Sequence, residues 1–157
     1  MKINHGKNGI LEIDDARIIW RNFSGVGGKY NREGDKNFSV LFDDEEEVEK
    51  LKDEGWNIRV KPPRDDQDIP FMHLPVKVKF SKSGPRIYLV SGSKTNLLTE
   101  AEVGLLDNVD IERVCMDIRP YEYNVNGNTG ISAYLQNMKV WQVVDRFMED
   151  EDEDVPF

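Results

Sequence analysis

Cysteine occurs once in this 157-residue chain, as Cys115, and histidine only twice, as His5 and His73. A single thiol allows no intramolecular disulfide and fits a reducing compartment. No apolar run approaches the roughly 18 residues of a membrane span, and the N-terminus carries no signal-peptide core. The expectation is a cytoplasmic protein with no membrane contact. Catalytic constellations are equally scarce. Neither histidine has a Cys, Asp or Glu at a familiar zinc spacing. The stretch Gly25-Val26-Gly27-Gly28-Lys29-Tyr30 fails as a phosphate loop. Its glycines are too close, Tyr30 stands where Ser or Thr is needed, and a strand follows instead of a helix. The pairs Asp14-Asp15 and Asp65-Asp66 read as solvated loop carboxylates. No enzyme, metal or cofactor is implied.

What the chain has in quantity is acid, and it is unevenly placed. Net charge is −9, from 30 acids against 21 bases. With the six acids of Glu149–Asp154 set aside, 24 remain against the 21 bases. With Asp43-Asp44-Glu45-Glu46-Glu47 also set aside, 19 remain and the rest of the chain is slightly basic. The low pI therefore does not exclude an anionic ligand. An uninterrupted acid run repels itself and buries nothing, so the end of the chain should be disordered and extended. Yet it closes on Val155-Pro156-Phe157, an apolar tip on a charged leash.

Upstream, an apolar fraction of 38% supports one folded domain, and short strand-like runs dominate it. ARIIWRNF (16–23) and KNFSVLF (36–42) flank a flexible loop with four glycines. Asp43 or Asp44 caps a helix that rests on Val48 and Leu51 and stops at Gly55. WNIRVK (56–61) reads as a strand, and VKVKF (76–80) is answered by RIYLV (86–90) across the turn-like SKSGP. Thr99 and Glu102 have capping-box spacing and open a second short helix on Val103, Leu105 and Leu106. The longest hairpin joins 111–124 to 131–144 around Asn126-Gly127. Val114, Met116 and Ile118 face its core, Cys115, Asp117, Arg119, Tyr121 and Tyr123 face away, and the return strand should hold a bulge. Arg21-Asn22-Phe23 and Lys36-Asn37-Phe38 form a small repeat at the two ends of the first loop. The pattern predicts an antiparallel barrel or sandwich.

Bases are interleaved with aromatics in three places. Arg17, Trp20, Arg21, Phe23, Lys29, Tyr30, Arg32 and Lys36 form the first group, Trp56, Arg59, Lys61 and Arg64 the second, and Arg119, Tyr121 and Tyr123 the third. Unpaired nucleic acid needs this combination. Cations replace counterions along the phosphates, and rings stack on bases of any identity. Aromatics on strands usually pack, which assigns Trp20, Phe38 and Phe42 to the core. Trp56 and Trp141 stay open between core and surface. Tyr30 has no packing partner in sequence and reads as a ligand contact. Lys77, Lys79 and Lys82 read as residues that keep a sheet face soluble.

ARIIWRNFSGVGGKYNREGDKNFSV, then WNIR followed by KPP, and late YEYNVNGNTGISAYLQNMKV resemble the single-stranded DNA-binding proteins of tailed bacteriophages. The likeness covers most of residues 10–145. Separately, the ending DEDVPF resembles the tail of bacterial single-stranded DNA-binding proteins. The resemblance implies an OB-fold over residues 1–147, a five-stranded antiparallel barrel with two short helices, followed by a disordered acidic tail at 148–157. It implies a coat for single-stranded DNA in replication and recombination, as a monomer or dimer. Arg21, Phe23, Tyr30, Arg32 and Lys36 of the first hairpin and Arg119, Tyr121, Tyr123 and Tyr134 of the late one would line the DNA face. Arg17, Arg59 and Lys61 join them from the basic–aromatic groups. Asp152, Glu153, Asp154, Val155, Pro156 and Phe157 would recruit replication and recombination proteins. Two rival classes are an acidic DNA-mimicking or adaptor protein that occupies a host enzyme, and a metal-dependent nuclease.

Overall fold

The computed structural model describes residues 1–63, 65, 70–145 and 147. In chain order they form β1 (Lys2–His5), β2 (Leu11–Asp14), β3 (Arg17–Asn22), β4 (Lys36–Phe42), α1 (Glu45–Glu54), β5 (Arg59–Lys61), β6 (Phe71–Val78), β7 (Arg86–Ser91), β8 (Lys94–Leu98), β9 (Ile111–Val125) and β10 (Asn128–Gln142). Short 3-10 segments occupy Lys7–Gly9 and Val103–Asp107. The protein is mainly β, as expected. Among the described residues, however, ten strands share one sheet, and two of its pairings are parallel.

The β9–β10 hairpin is the spine of the sheet. Asn126 and Gly127 both take positive φ, 52° and 84°, the conformation that a two-residue turn between right-twisted strands requires. Val114, Met116 and Ile118 point inward from β9, and Ala133, Leu135, Met138 and Val140 from β10, all buried. The change from odd to even numbering marks a bulge between Leu135 and Asn137, on the return strand where one was anticipated.

From this spine the sheet runs β1-β2-β9-β10-β6-β4-β3. β2 and β3 are separated by only Asp15 and Ala16, yet β2 pairs with β9 and β3 with β4. The chain itself thus bridges from one side of the sheet to the other, with no continuous ladder closing the gap among the described residues. Asp15 makes the bend at φ 52°, and its carboxylate accepts from Arg113 Nε at 2.6 Å. The Ala16 amide donates to Val114 O at 2.8 Å just beyond it.

β6 and β7 do not form the hairpin expected across SKSGP. Both run parallel to β10, β6 beside Ala133 and Tyr134 and β7 beside Asn137–Trp141. Ser81 and Gly84 do close a turn, but it is an excursion between two strands of the same direction. The chain loops out beside the β10 bulge and rejoins the same neighbour.

Helix α1 follows its sequence signals closely. Asp44 accepts from the Glu46 and Glu47 amides, three glutamates complement the positive helix end, and Gly55 ends it at φ 109°. Val48 and Leu51 supply its buried stripe. The second helix is corrected: it is the 3-10 segment Val103–Asp107. Glu102 accepts from both the Thr99 amide and hydroxyl, at 3.0 and 2.9 Å. The threonine oxygen therefore donates to the carboxylate, so only half of a capping box forms, and the two bonds lower the Glu102 pKa. Val103 and Leu106 are buried there, while Leu105 is exposed. Among the described residues no helix is long and apolar enough to cross a membrane.

Candidate nucleic-acid interface

On β6 the alternation places Met72, Leu74, Val76 and Val78 inside, which leaves Phe71, His73, Pro75 and Lys77 on the outer face. On β4 Phe38, Val40 and Phe42 are inside, with Asn37 opposite Lys77 and Ser39 opposite Pro75. Between these outer residues, the tip of the β3–β4 loop and Tyr134 on β10 lies a groove of about 790 Å³. Its lining includes four cations, Lys36, Arg59, Lys77 and Lys79, against two acids, Asp35 and Glu100.

At one end stands Trp20. The β3–β4 register shifts between Ile19 and Asn22, and Trp20 within that shift has φ 52°. The bulge turns its ring outward, 62% exposed, onto the groove. The ring lies edge-on to His73 at 4.8 Å and tilted against Phe71 at 5.4 Å. His73 Nδ1 lies 3.2 Å from the Ser39 hydroxyl. Partial burial and the nearby Arg59 charge lower the His73 pKa, so the imidazole is neutral at neutral pH.

At the other end Tyr134 has the Lys77 ammonium at 5.6 Å and the Arg119 guanidinium at 5.5 Å from its ring centre. Tyr121, 54% exposed, meets it edge-on at 5.7 Å. A ring with cations at its margin can stack a base while those cations reach the flanking phosphates. Tyr123 is used differently: its hydroxyl donates to Asn57 Oδ1 at 3.1 Å and ties β9 to the segment before β5.

The β3–β4 loop, expected to be flexible, is folded back on itself. Asn31 Nδ2 donates to the carbonyls of Val26, Arg32 and Asp35, and Asn22 both accepts from and donates to Val26. At the neck the Gly34 amide donates to Gly25 O at 2.7 Å. Gly25 has φ 72°, and a Cβ there would sit 3.0 Å from the Gly34 carbonyl carbon, so glycine is required. Tyr30 stands at the tip, 91% exposed, with Lys29 5.4 Å over its ring.

The structure corrects several sequence-based assignments. Phe23 is fully buried and stacked on Phe38 at 5.3 Å, so it belongs to the core and not to a DNA face. The repeat at the loop ends explains this, because Asn22 pairs with Asn37 and the two phenylalanines meet beneath them. Arg21 is committed to structure: Nη1 donates to the carbonyls of Leu106 and Val109 at 2.8 and 2.7 Å, clamping β3 to the 3-10 segment. Asp107 completes the clamp by accepting from the Phe23 and Ser24 amides. Trp20, assigned to the core, is on the surface.

Tyr30, Lys36, Arg59 and Tyr134 line the groove, and Arg119 and Tyr121 adjoin it through Tyr134. Arg17, Arg32 and Lys61 are exposed but outside the groove lining. Arg64 and the tail residues Asp152–Phe157 lie outside the described residues. His73, Lys77 and Lys79 also line the groove, with Phe71 packed on Trp20 beside it, and the sequence reading placed none of them there. Alternation through 71–79 was the signal that could have found them. Trp56, left open, is buried; Trp141, also left open, is half-buried on the surface of β10.

An outward-facing cleft with rings at both ends and cations between them, on a mainly β sheet, defines a class of groove-bearing β proteins. The chain belongs to the family of putative phage single-stranded-DNA-binding domains, whose model matches residues 4–157. Three structures of the single-stranded DNA-binding protein of bacteriophage Enc34 are similar in fold. The form in complex with single-stranded DNA aligns at 15% identity over 90% of each chain, with a TM-score of 0.56. The form with a C-terminal truncation aligns at 15% over 96% of this chain and 90% of that one, TM-score 0.54. A third aligns at 13% over 98% and 97%, TM-score 0.56. No curated protein matches the chain in sequence.

Proposed function

We propose that this protein is a sequence-independent single-stranded DNA-binding protein that coats unpaired strands during phage DNA replication and recombination, in the host cytoplasm. The observation that carries the reading is the groove itself: Trp20 and Tyr134 at its ends, with Lys36, Arg59, Lys77 and Lys79 along it. Rings accept any base and ammonium groups accept any phosphate, so affinity should be high for single strands and indifferent to sequence. The covalent β2–β3 bridge across the sheet supports reading the body as an OB-type barrel with added strands. No step of this role calls for a catalytic group.

The tail has a second part in the proposal. Val155, Pro156 and Phe157 dock in a basic-rimmed apolar pocket on replication or recombination proteins, Pro156 limiting the tip's freedom. Without DNA, the acid run occupies the cationic groove at an effective concentration on the order of mM. DNA displaces it and frees the tip.

Titration with oligothymidine, mixed-sequence single strands and duplex tests the first part. Comparable affinity for the two single strands, much weaker duplex binding and a steep salt dependence are expected. An absence of binding in dilute buffer, for the intact chain and for one lacking residues 149–157, would refute it. Removing 149–157 should also tighten binding at low salt and abolish capture of replication proteins. Unchanged affinity with intact capture would defeat the tail mechanism.

A further inference from the structure

The groove ends at Tyr134, but the sheet face it opens onto continues along β10. Tyr134 and Trp141 have opposite parity, and in an uninterrupted strand they would point to opposite sides. The bulge between Leu135 and Asn137 reverses the phase. Beyond it Met138 and Val140 are buried, so Lys139 and Trp141 join Tyr134 on the outer face. Trp141 is flanked by cations: the Arg113 guanidinium lies 4.8 Å and the Lys139 ammonium 5.1 Å from its ring centre. Arg113 is also bonded to Asp15 at 2.6 Å, which holds the guanidinium in place. Lys139 has no ion-pair partner among the described residues. This repeats the Lys77–Tyr134–Arg119 arrangement about 20 Å further along the same strand.

We infer that Trp141, Lys139 and Arg113 form a second contact segment for single-stranded DNA, engaged by the same strand as it leaves the groove past Tyr134. The inference rests on the proposed DNA-binding function and extends the footprint beyond the groove. The cation–ring chemistry is that of the groove, and the shared face lets one strand reach both without crossing a sheet edge. The bulge is the device that makes the path continuous.

The chain's three tryptophans allow a direct test, because Trp56 is buried. W20F leaves Trp141 as the surface reporter, and W141F leaves Trp20. Each is titrated with an oligothymidine ladder from about 4 to 20 nucleotides, the range of single-domain site sizes. Trp20 emission should respond fully to shorter oligonucleotides than Trp141 emission does. Trp141→Ala should weaken binding of the longest oligonucleotide about tenfold and leave the shortest unaffected. Lys139→Ala, at an exposed position, should lower the salt slope for long oligonucleotides alone, and a thermal melt confirms that both variants fold. Trp141 emission unmoved by saturating 20-mer, with Trp20 quenched, would overturn the inference and spare the groove reading. A protein that binds no length would overturn both.

Discussion

Trp20 and Phe23 lie three residues apart, and the structure gives them opposite duties. Phe23 is fully buried against Phe38, so Phe23→Ala removes a packed ring and leaves a cavity, at a cost of about 3–5 kcal/mol. For a chain of this size each kcal/mol shifts Tm by about 2–4 °C, so the melt should fall by roughly 6–20 °C. Trp20 is largely exposed and has a φ that L side chains adopt at a cost of about 1–2 kcal/mol. Trp20→Gly relieves that cost while losing the contacts to His73 and Phe71, and stability should stay near that of the parent. Binding should not. Losing one stacked base at about 1–3 kcal/mol weakens affinity about 5- to 150-fold. Because Trp20 is itself a fluorophore, affinity is best read by anisotropy of a labelled oligothymidine, with unfolding followed by circular dichroism. The reasoning fails if Trp20→Gly binds within about twofold of the parent. It also fails if Phe23→Ala weakens binding in the folded state without lowering the melt.

Lys77 and Lys79 should act as phosphate contacts, so alanine at both should flatten the log–log salt dependence by about 0.7 per contact, equally for every sequence. Gly25→Ala should destabilise the chain by about 1–2 kcal/mol in a denaturant titration, because the left-handed backbone and the Gly34 contact both oppose a side chain. For His73 the folded pKa lies below its ordinary 6.5, through burial first and Arg59 second. The unfolded chain therefore binds more protons as pH falls through 6.5, and stability should decline from there until the folded imidazole also protonates. His73→Gln should remove that part of the decline, as read from denaturation midpoints between about pH 7.5 and 5; identical pH profiles for the two proteins would contradict the assignment.

Signals confined to a few residues were readable in advance. The bounds of β4, the Asn126-Gly127 turn, the Asp44 and Gly55 helix caps and the inward set Val114, Met116 and Ile118 all depend on neighbours in sequence. The misreadings depend on distant partners. Nothing local distinguishes a hairpin across SKSGP from two strands that both join β10, and the choice is made by β10 itself. Phe71 and His73 went unread because Pro75 interrupts the strand pattern. That proline points outward and leaves the inward alternation of β6 intact. Trp20 and Trp141 were obscured for one shared reason: a bulge changes which face a residue takes, and alternation counted by number alone cannot register it. β1, β2 and β8, four or five residues each, are too short to establish a period.

The pinched base of the β3–β4 loop has an evolutionary and practical implication. Gly25 and Gly34 close the neck with a single backbone bond, and residues 26–33 satisfy much of their hydrogen bonding among themselves. The finger that carries Tyr30 is consequently a cassette, tied to the strands beneath it near its neck through the Asn22–Val26 bonds and the bonds of Asn31 to Asp35 and Asn37. Away from Val26 and Asn31 its length and chemistry can vary while the sheet beneath folds as before, so reach toward a ligand can be retuned without renegotiating the core.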